Sequence, residues 1–589
     1  MKFRIFAFSK EDFFITIRLR FVPFVHKSGV LSNRYEKEAS FLLIMNDEMR
    51  FGLMIDSTVV ERWQAETVRL LIDNGIVLDT LIINASKEEK TPFTKKIRKY
   101  PWRRLLFRLW NRFVFKPESK AGTDVSDLLK TIQVIECQPI NKGISTYLSD
   151  DDIAKIKDKN LDFILRFGFG ILRGEVLKAP KYGVWSFHHD DERVVRGGPP
   201  GFWEFVRKIP SNGIILQQLT DSLDKGLIIR RMRLNTILHS YKAHLDNLYF
   251  NGEILPLQAC RDIQNGCFSS VQSESAAPIL HPPVNLTMLH YAWLSVWRRL
   301  KFHLNRVFRQ EDWNIGFSYT SSNTLSYDIE NKDIQWFAKN KKTDYYADPF
   351  VIKTEKDTYI FFEWFSYSAA KGCLAVALKS ENFAVFHKIG DFSGHRSYPF
   401  VFQWEKAVYC VPEANVTNKV TLYRFNEDDL SLNEDCVLLD GGRFVDSTLF
   451  NHKGKWFLFT SRQEKSHTHL DIFVSDNLRG PYFPHKNNPV VTDCRSARMA
   501  GRIIEFDGNI YRVGQNSESH YGQSITLNKI IQLSENQYFE VKEKDIGIPC
   551  GCEYNRGIHT INADGGIIVF DAKRFVFTFA GMKFEIFNT

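Results

Sequence analysis

Between Met49 and Gln217, short apolar runs alternate with amphipathic stretches. Met49 to Ile55, Leu78 to Asn84, Ile132 to Glu136, Asp162 to Arg166, Val184 to Phe187 and Gly213 to Gln217 each read as a buried strand. Val59 to Asn74 carries Trp63, Val68 and Leu71 at helical spacing. Ser149, followed by Asp150, Asp151 and Asp152, is a capping start for a helix over Ile153 to Lys159. Strands alternating with helices predict an α/β domain on a parallel sheet. Past Trp313 the texture changes. Aromatic and β-branched strands recur in pairs across Gly, Asp and Asn turns, as in Asp348-Pro349-Phe350-Val351-Ile352 with Tyr359-Ile360-Phe361-Phe362, and Tyr398-Pro399-Phe400-Val401-Phe402 with Val408-Tyr409-Cys410-Val411. A repeat of roughly 50 residues predicts an all-β propeller.

The chain therefore divides into four parts. Residues 1–48 form an extension ahead of the folded domain, in which Met45 or Met49 could serve as the true start; 49–230 are the α/β domain, 231–312 a helical connector, and 313–589 the propeller. Hydrophobic content of 44% with 25% charge is ordinary for globular protein, and 49 Phe suit a β-rich portion. The first strand–helix turn lacks G-x-G-x-x-G, so no dinucleotide site is expected.

The net charge of +9 matters through its clustering. Residues 95–120 interleave ten Lys and Arg with Trp102, Phe107, Trp110 and Phe113, and Trp293 to Phe308 adds Arg298, Arg299, Lys301 and Arg306. Such basic, Trp-bearing helices suit an anionic membrane surface; the competing reading is that they pack on each other with solvated basic faces. No recognition module accompanies the charge, so a nucleic-acid partner is not expected. The nine cysteines show no zinc-ligand spacing, Cys550-Gly551-Cys552 being too tight, and no metal is expected. Free thiols point to a cytoplasmic location, with membrane association through the basic segments. No apolar run reaches the roughly 18 residues of a membrane span.

Candidate chemistry starts at Gly183-Val184-Trp185-Ser186-Phe187-His188, an apolar strand ending on a histidine. Arg196-Gly197 follows, then Asp224-Lys225-Gly226 beyond the next strand. Neighbouring parallel strands would bring His188 and Asp224 together at their carboxyl ends, where open α/β sheets keep their sites. A carboxylate orients an imidazole and raises its basicity, so the pair can move a proton.

This register resembles the formyltransferase family that uses 10-formyltetrahydrofolate, whose pattern is Asn-x-His, Arg-Gly and Asp-x-Gly. The upstream run Asp162 to Leu172 is similar as well. The resemblance implies His188 as acid/base, Asp224 as its orienting partner and 10-formyltetrahydrofolate as donor. Ser186 stands where the family has the asparagine that polarises the formyl carbonyl, and it could donate only through a shifted backbone or a bridging water. His189-Asp190-Asp191-Glu192 replaces the family's turn after the histidine.

Residues 313–589 resemble the five-bladed propellers of family-43 glycoside hydrolases, and more closely the amino-terminal domain of plant glucosamine inositolphosphorylceramide transferases. His395-Arg396-Ser397-Tyr398-Pro399, Phe444-Val445-Asp446-Ser447-Thr448 and Ser496-Ala497-Arg498-Met499-Ala500-Gly501-Arg502 carry this likeness. It implies a glycan-facing channel lined by Asp348, Glu413, Asp446, Arg498 and Arg502, the three carboxylates matching hydrolase base, acid and tuning positions. Arginines there, with Arg512, suit phosphate or carboxylate on a sugar and favour binding over hydrolysis. The expected fold is thus a formyltransferase-like parallel-sheet domain followed by a five-bladed propeller. The expected function is transfer to an amino sugar or nucleotide-sugar in surface-glycan biosynthesis. The alternative is a non-catalytic formyltransferase-like domain on a propeller-centred glycan-binding or glycan-modifying protein.

Overall fold

β1 (Arg50–Ile55) is buried at every position after its first, so it must be covered on both faces, as central strands of α/β sheets are. This holds in the computed structural model, which describes residues 48–86, 102–222, 226–274, 277–320, 329, 333–339, 341–548 and 551–587. The extension 1–47, the start of the basic insert at 95–101, and Asp224 lie outside the described residues.

β1 belongs to an eight-stranded sheet with β2 (Val77–Asn84), β3 (Gln133–Cys137), β4 (Phe163–Arg166), β5 (Val184–His188), β6 (Ser211–Gln218), β7 (Leu227–Asn235) and β8 (Val271–Gln272), in the order β3-β2-β1-β4-β5-β6-β7-β8. Phe51, Phe163 and Trp185 stack face to face across three neighbouring strands, at centroid distances of 5.3 and 3.9 Å. Fully burying each such ring is worth about 1.5–3 kcal/mol.

Two expectations need correction. From β3 to β5 the pairs are parallel, but β6, β7 and β8 join antiparallel. Antiparallel neighbours need no crossover helix, and a mixed edge buries the same apolar residues as a parallel one. The connector boundary at 230 also fails, because β7 runs to Asn235 within the sheet. The helices that follow belong to its core: Leu245 and Leu248 of α4 (Tyr241–Gly252) and Leu255 and Ala259 of α5 (Leu255–Gln264) pack with Ile214 and Leu216 of β6. Earlier in the chain, α1 (Arg62–Asp73) starts three residues later than the pattern suggests. Val59–Glu61 pairs as a strand with Gly122–Asp124, and a capping box between Glu61 and Gln64 opens the helix. α2 (Asp150–Lys157) begins at its expected cap, where Ser149 accepts from the Asp152 amide at 3.2 Å.

α3 (Phe202–Arg207) lies between β5 and β6, and α6 (Asn285–Phe308) leads into the second half. There, among the described residues, lie five four-stranded antiparallel sheets. The first strand, β9 (Gln310–Tyr319), pairs along its whole length with the last, β17 (Ile567–Val576). Between them, β10 (Asp344–Lys353), β12 (Ser397–Trp404) and β14 (Phe444–His452) lead three sheets, each followed by a hairpin partner: β11 (Thr358–Ser366), β13 (Ala407–Glu413) and Lys455–Arg462. β15 (Asn509–Asn516) and β16 (Ile561–Asp564) belong to the two remaining sheets. α7 (Phe579–Phe587) ends the described chain against α6.

The halves meet along β7 and α5. The Gln258 amide donates to the Pro489 carbonyl at 2.8 Å, and Arg233 forms a bridge with Asp493.

Candidate functional site

Side chains two apart on a strand share a face, so Ser186 and His188 project together from β5. Trp185 stands beside Leu165 in the parallel pairing with β4, which brings Arg166 alongside Ser186. An Arg166 guanidinium nitrogen donates to Ser186 Oγ at 3.0 Å, and another reaches the Gly170 carbonyl. Arg166 Nε is buried with no hydrogen-bond partner. Burial lowers the Arg166 pKa, opposed by the nearby Asp56 charge, so this is a desolvated cation with donor capacity to spare. Arg166, Gly170, Arg173, Gln217, Thr220 and Ser222 help to line a cavity of about 140 Å³.

His188 Nε2 lies 3.6 Å from Asp190 Oδ2. Asp190 is buried against Glu204 of α3. Burial, then the Glu204 charge, pushes Asp190 well up, while burial takes Glu204 to about 7. The two acids therefore cannot both ionise cheaply. His189 faces the opposite side, packed against Trp63 and Tyr249, and burial drives it down to about 3, leaving it neutral.

The rest of the His-Asp-Asp-Glu run is an anchor. Asp191 holds Arg193 at 2.9 Å and also Arg233; Glu192 holds Arg231 at 2.6 Å. Arg233 continues to Glu518 in the second half, 3.8 Å away. The glycine of Arg196-Gly197 has a plain reason. Its φ is +94°, and a Cβ there would sit 2.1 Å from the Leu280 carbonyl oxygen.

In the second half, β10, β12 and β14 each skip register at the same place, between Ala347 and Phe350, Ser397 and Phe400, and Val445 and Thr448. The residue inside each skip has positive φ: Asp348 (+53°), Tyr398 (+42°) and Asp446 (+50°). A bulge re-aims a side chain out of the strand's alternation, and left-handed backbone at a non-glycine residue persists only where the surroundings enforce it. All three side chains point into one buried network. The Tyr398 amide donates to Asp348 Oδ2 at 3.1 Å, Tyr398 Oη lies 3.1 Å from Thr448 Oγ1 and accepts from the Gly501 amide at 3.0 Å, and the Asp446 amide donates to Glu413 at 3.3 Å.

Charge is arranged in two ion-paired groups around two acids. His559 Nε2 lies 3.0 Å from Asp348 Oδ1, and its Nδ1 lies 2.8 Å from Asp571 Oδ2. Burial works against the imidazolium, but the two carboxylates raise it to about 10. Burial likewise opposes the Asp348 charge, yet His559 and the hydrogen bonds of Tyr398 and Thr560 hold it below the ordinary carboxylate range. Arg498 forms an ion pair with Asp446 and stacks over Tyr521, 5.2 Å from its centroid. Glu413, raised by burial and then by the Asp446 charge to about 8, is a neutral acid at pH 7. So is Glu363, raised by burial and by Asp348. Asp348, His559 and Asp571 are spaced as a three-ligand set, but a cation there would have to displace the imidazolium proton.

Of the residues expected to converge, Asp348, Glu413, Asp446 and Arg498 do so. Arg502 does not face this network. Its guanidinium donates to the Val401 and Val351 carbonyls at 2.7–3.1 Å, stapling β12 to β10. Arg512 is consumed by Glu540, at 2.6 and 2.7 Å. His559 and Asp571 are not legible in the sequence because they lie just before β16 and on β17, outside the repeated strand-pair motif.

Comparisons with known proteins return two kinds of relative. The family described as "Glucosamine inositolphosphorylceramide transferase 1, N-terminal" matches residues 333–555. Glucosamine inositolphosphorylceramide transferase 1 of Oryza sativa subsp. japonica is 34% identical over 208 residues, covering 34% of this chain and 28% of that protein. Methionyl-tRNA formyltransferase of Prochlorococcus marinus is 33% identical over 97 residues, covering 16% of this chain and 29% of that protein. A thermostable family-43 glycoside hydrolase overlies 34% of this chain and 75% of its own, with 12% identity and a TM-score of 0.27. The chain spans under a third of the length of these two curated relatives. It is a multidomain protein that joins a region similar to those transferases with partial similarity to formyltransferases.

Proposed function

We propose that the first half transfers a formyl group to the amine of a sugar or nucleotide-sugar, and that the five sheets of the second half are blades of a five-bladed propeller that holds the glycan portion. The observation that carries this reading is Arg166 bonded to Ser186 beside His188. The partial similarity to formyltransferases and the neighbouring similarity to a glycolipid glycosyltransferase region support it.

The residues fit a carbonyl-bearing donor. Arg166 Nε is buried without a partner, and the cavity of about 140 Å³ has room for the transferring end of a donor, well short of the roughly 300 Å³ of a whole-ligand pocket. When bound, 10-formyltetrahydrofolate supplies an activated one-carbon acyl group. Arg166 takes the place of the missing asparagine, polarising the carbonyl oxygen with a charged donor and holding the Ser186 hydroxyl in line. His188 takes the proton lost by the acceptor amine as the new N–C bond forms, and returns it to the leaving nitrogen as the old C–N bond breaks. Raised by burial, Asp190 and Glu204 carry less negative charge beside the imidazole than two free carboxylates would.

The test is mass-spectrometric detection of formylated product from 10-formyltetrahydrofolate and a panel of amino-sugar nucleotides, with Arg166→Gln as control. Product from the parent and none from the variant is expected. Equal product from both would remove Arg166 from the chemistry, and no product with any acceptor would sink the reading.

A second reading rests on the neutral pair Glu363 and Glu413. Here the second half binds glycan hydroxyls through protonated carboxyls and the first half is a non-catalytic docking domain. Glycan binding that is lost in Glu413→Ala, with no transfer by the parent, would favour it.

A further inference from the structure

We propose that α6 and the adjoining helical segment 102–114 form a shelf that lies on an anionic lipid bilayer. α6 buries Met288, Tyr291 and Leu294 on one side. On the other side Leu289, Trp293, Val296, Trp297, Leu300 and Leu304 recur at three- and four-residue spacing, and every one of them is exposed. Trp293 is 60% and Val296 71% exposed. A helix that meets its own domain along one face shows a polar opposite face; α6 shows a second apolar one.

The segment 102–114 extends this surface. Asn285, at the start of α6, accepts from the Leu106 amide and donates to the Trp102 carbonyl, each at 3.0 Å. Trp110 packs on Tyr291 at 5.2 Å. Trp102 and Phe113 are left exposed beside α6.

Charge decides the occupant. Residues 102–117 and 285–310 contain no Asp or Glu, and their exposed cations include Arg103, Arg112, Arg299 and Lys301. At 3.6 residues per turn, Arg299 and Lys301 flank the apolar stripe on either side. A second copy of this helix would bring cation against cation along the stripe. An anionic bilayer complements it, since apolar side chains enter the headgroup boundary while flanking cations meet lipid phosphates. Among the described residues no helix is long and apolar enough to cross a membrane, so α6 would lie in the interface plane. This inference does not depend on the proposed transfer reaction, and it would place either glycan site at a lipid surface.

The test is co-sedimentation of the full chain with equimolar phosphatidylglycerol–phosphatidylcholine vesicles against phosphatidylcholine alone, with sedimentation equilibrium in the absence of lipid. Binding to the anionic vesicles is expected, weakened about tenfold or more in R299E/K301E and equally in W293S/W297S, with circular dichroism unchanged in both. The variants replace exposed side chains only, so loss of fold is not expected; should either misfold, the blue shift of tryptophan emission on adding vesicles to the parent is the deciding readout. Equal binding to neutral vesicles, or none to either, overturns the proposal. A dimer in solution that W293S/W297S dissociates, without vesicle binding by the parent, assigns the stripe to a second copy instead.

Discussion

Two of the histidines set beside acids, His188 and His559, differ in how open their settings are. His188 keeps about a third of its side chain exposed, at 35%, and meets Asp190 at 3.6 Å, an acid pushed up by burial and by the Glu204 charge. His559 is 4% exposed and gripped on both nitrogens by Asp348 and Asp571. The first can be reached from solvent. The second, raised to about 10, is a fixed cation. An acid/base must be within reach of its substrate, whereas a structural charge is best enclosed by its partners. The same contrast runs through the arginines. Arg166 keeps a nitrogen unspent, while Arg502 and Arg512 are consumed by carbonyls and a carboxylate.

The widest separation between the two histidines should appear in turnover. His188→Gln is expected to lower formyl transfer ~10²–10⁴-fold while leaving the urea midpoint where it was. A loss of stability as large as the loss of rate would erase the contrast. Next is His559→Gln, which leaves buried carboxylates without their counter-charge. Breaking a buried pair in this way costs about 3–5 kcal/mol, to be read as a fall in unfolding free energy by denaturant titration.

pH sharpens the comparison further. The folded state holds the His559 proton up to about 10 against an ordinary 6.5, and the Glu413 proton up to about 8 against 4.5. In both windows the folded chain binds more protons than the unfolded one, so stability falls as pH rises. His559 contributes fully below 6.5 and is lost toward 10; Glu413 disfavours folding increasingly from 4.5 to 8. Glu413→Gln should flatten the lower arm of a stability–pH curve and His559→Gln the upper. A curve that rises with pH over both windows would contradict the ion pairing described. The smallest effect is a control remote from both histidines. Ser149→Ala removes one helix cap and should cost about 1 kcal/mol in thermal or chemical unfolding.

Sequence patterns revealed the central strands well, because strands buried on both faces are continuous apolar runs bounded by turns. They could not reveal the antiparallel direction of β6, whose run Gly213 to Leu216 is buried whichever way it points. Asp348, Glu413, Asp446 and Arg498 were legible because each sits in a recurring or family-matching motif, and the repeated bulge aims the two aspartates at the same network. Arg502 shares a motif with Arg498 but falls four residues on, where it reaches backbone carbonyls instead. Asp190 was hidden in a run of acids that looked like a missing turn; only the fold separates the one under His188 from the two that anchor Arg233 and Arg231. Asp224 lies outside the described residues, so its partnership with His188 stands as the family resemblance implies it.

The pairing of β9 with β17 has a consequence for how the second half is made. Its first strand emerges early in synthesis and waits, one edge unsatisfied, until the last strand leaves the ribosome. Such long-range pairing is slow, and an open edge is adhesive while it waits. The β17 of another chain offers β9 the same ten register partners, from Gln310 with Val576 to Tyr319 with Ile567. Exchange of that strand between nascent chains is therefore the misassembly to expect at high concentration. It would appear as a dimer that separates no faster than the protein unfolds.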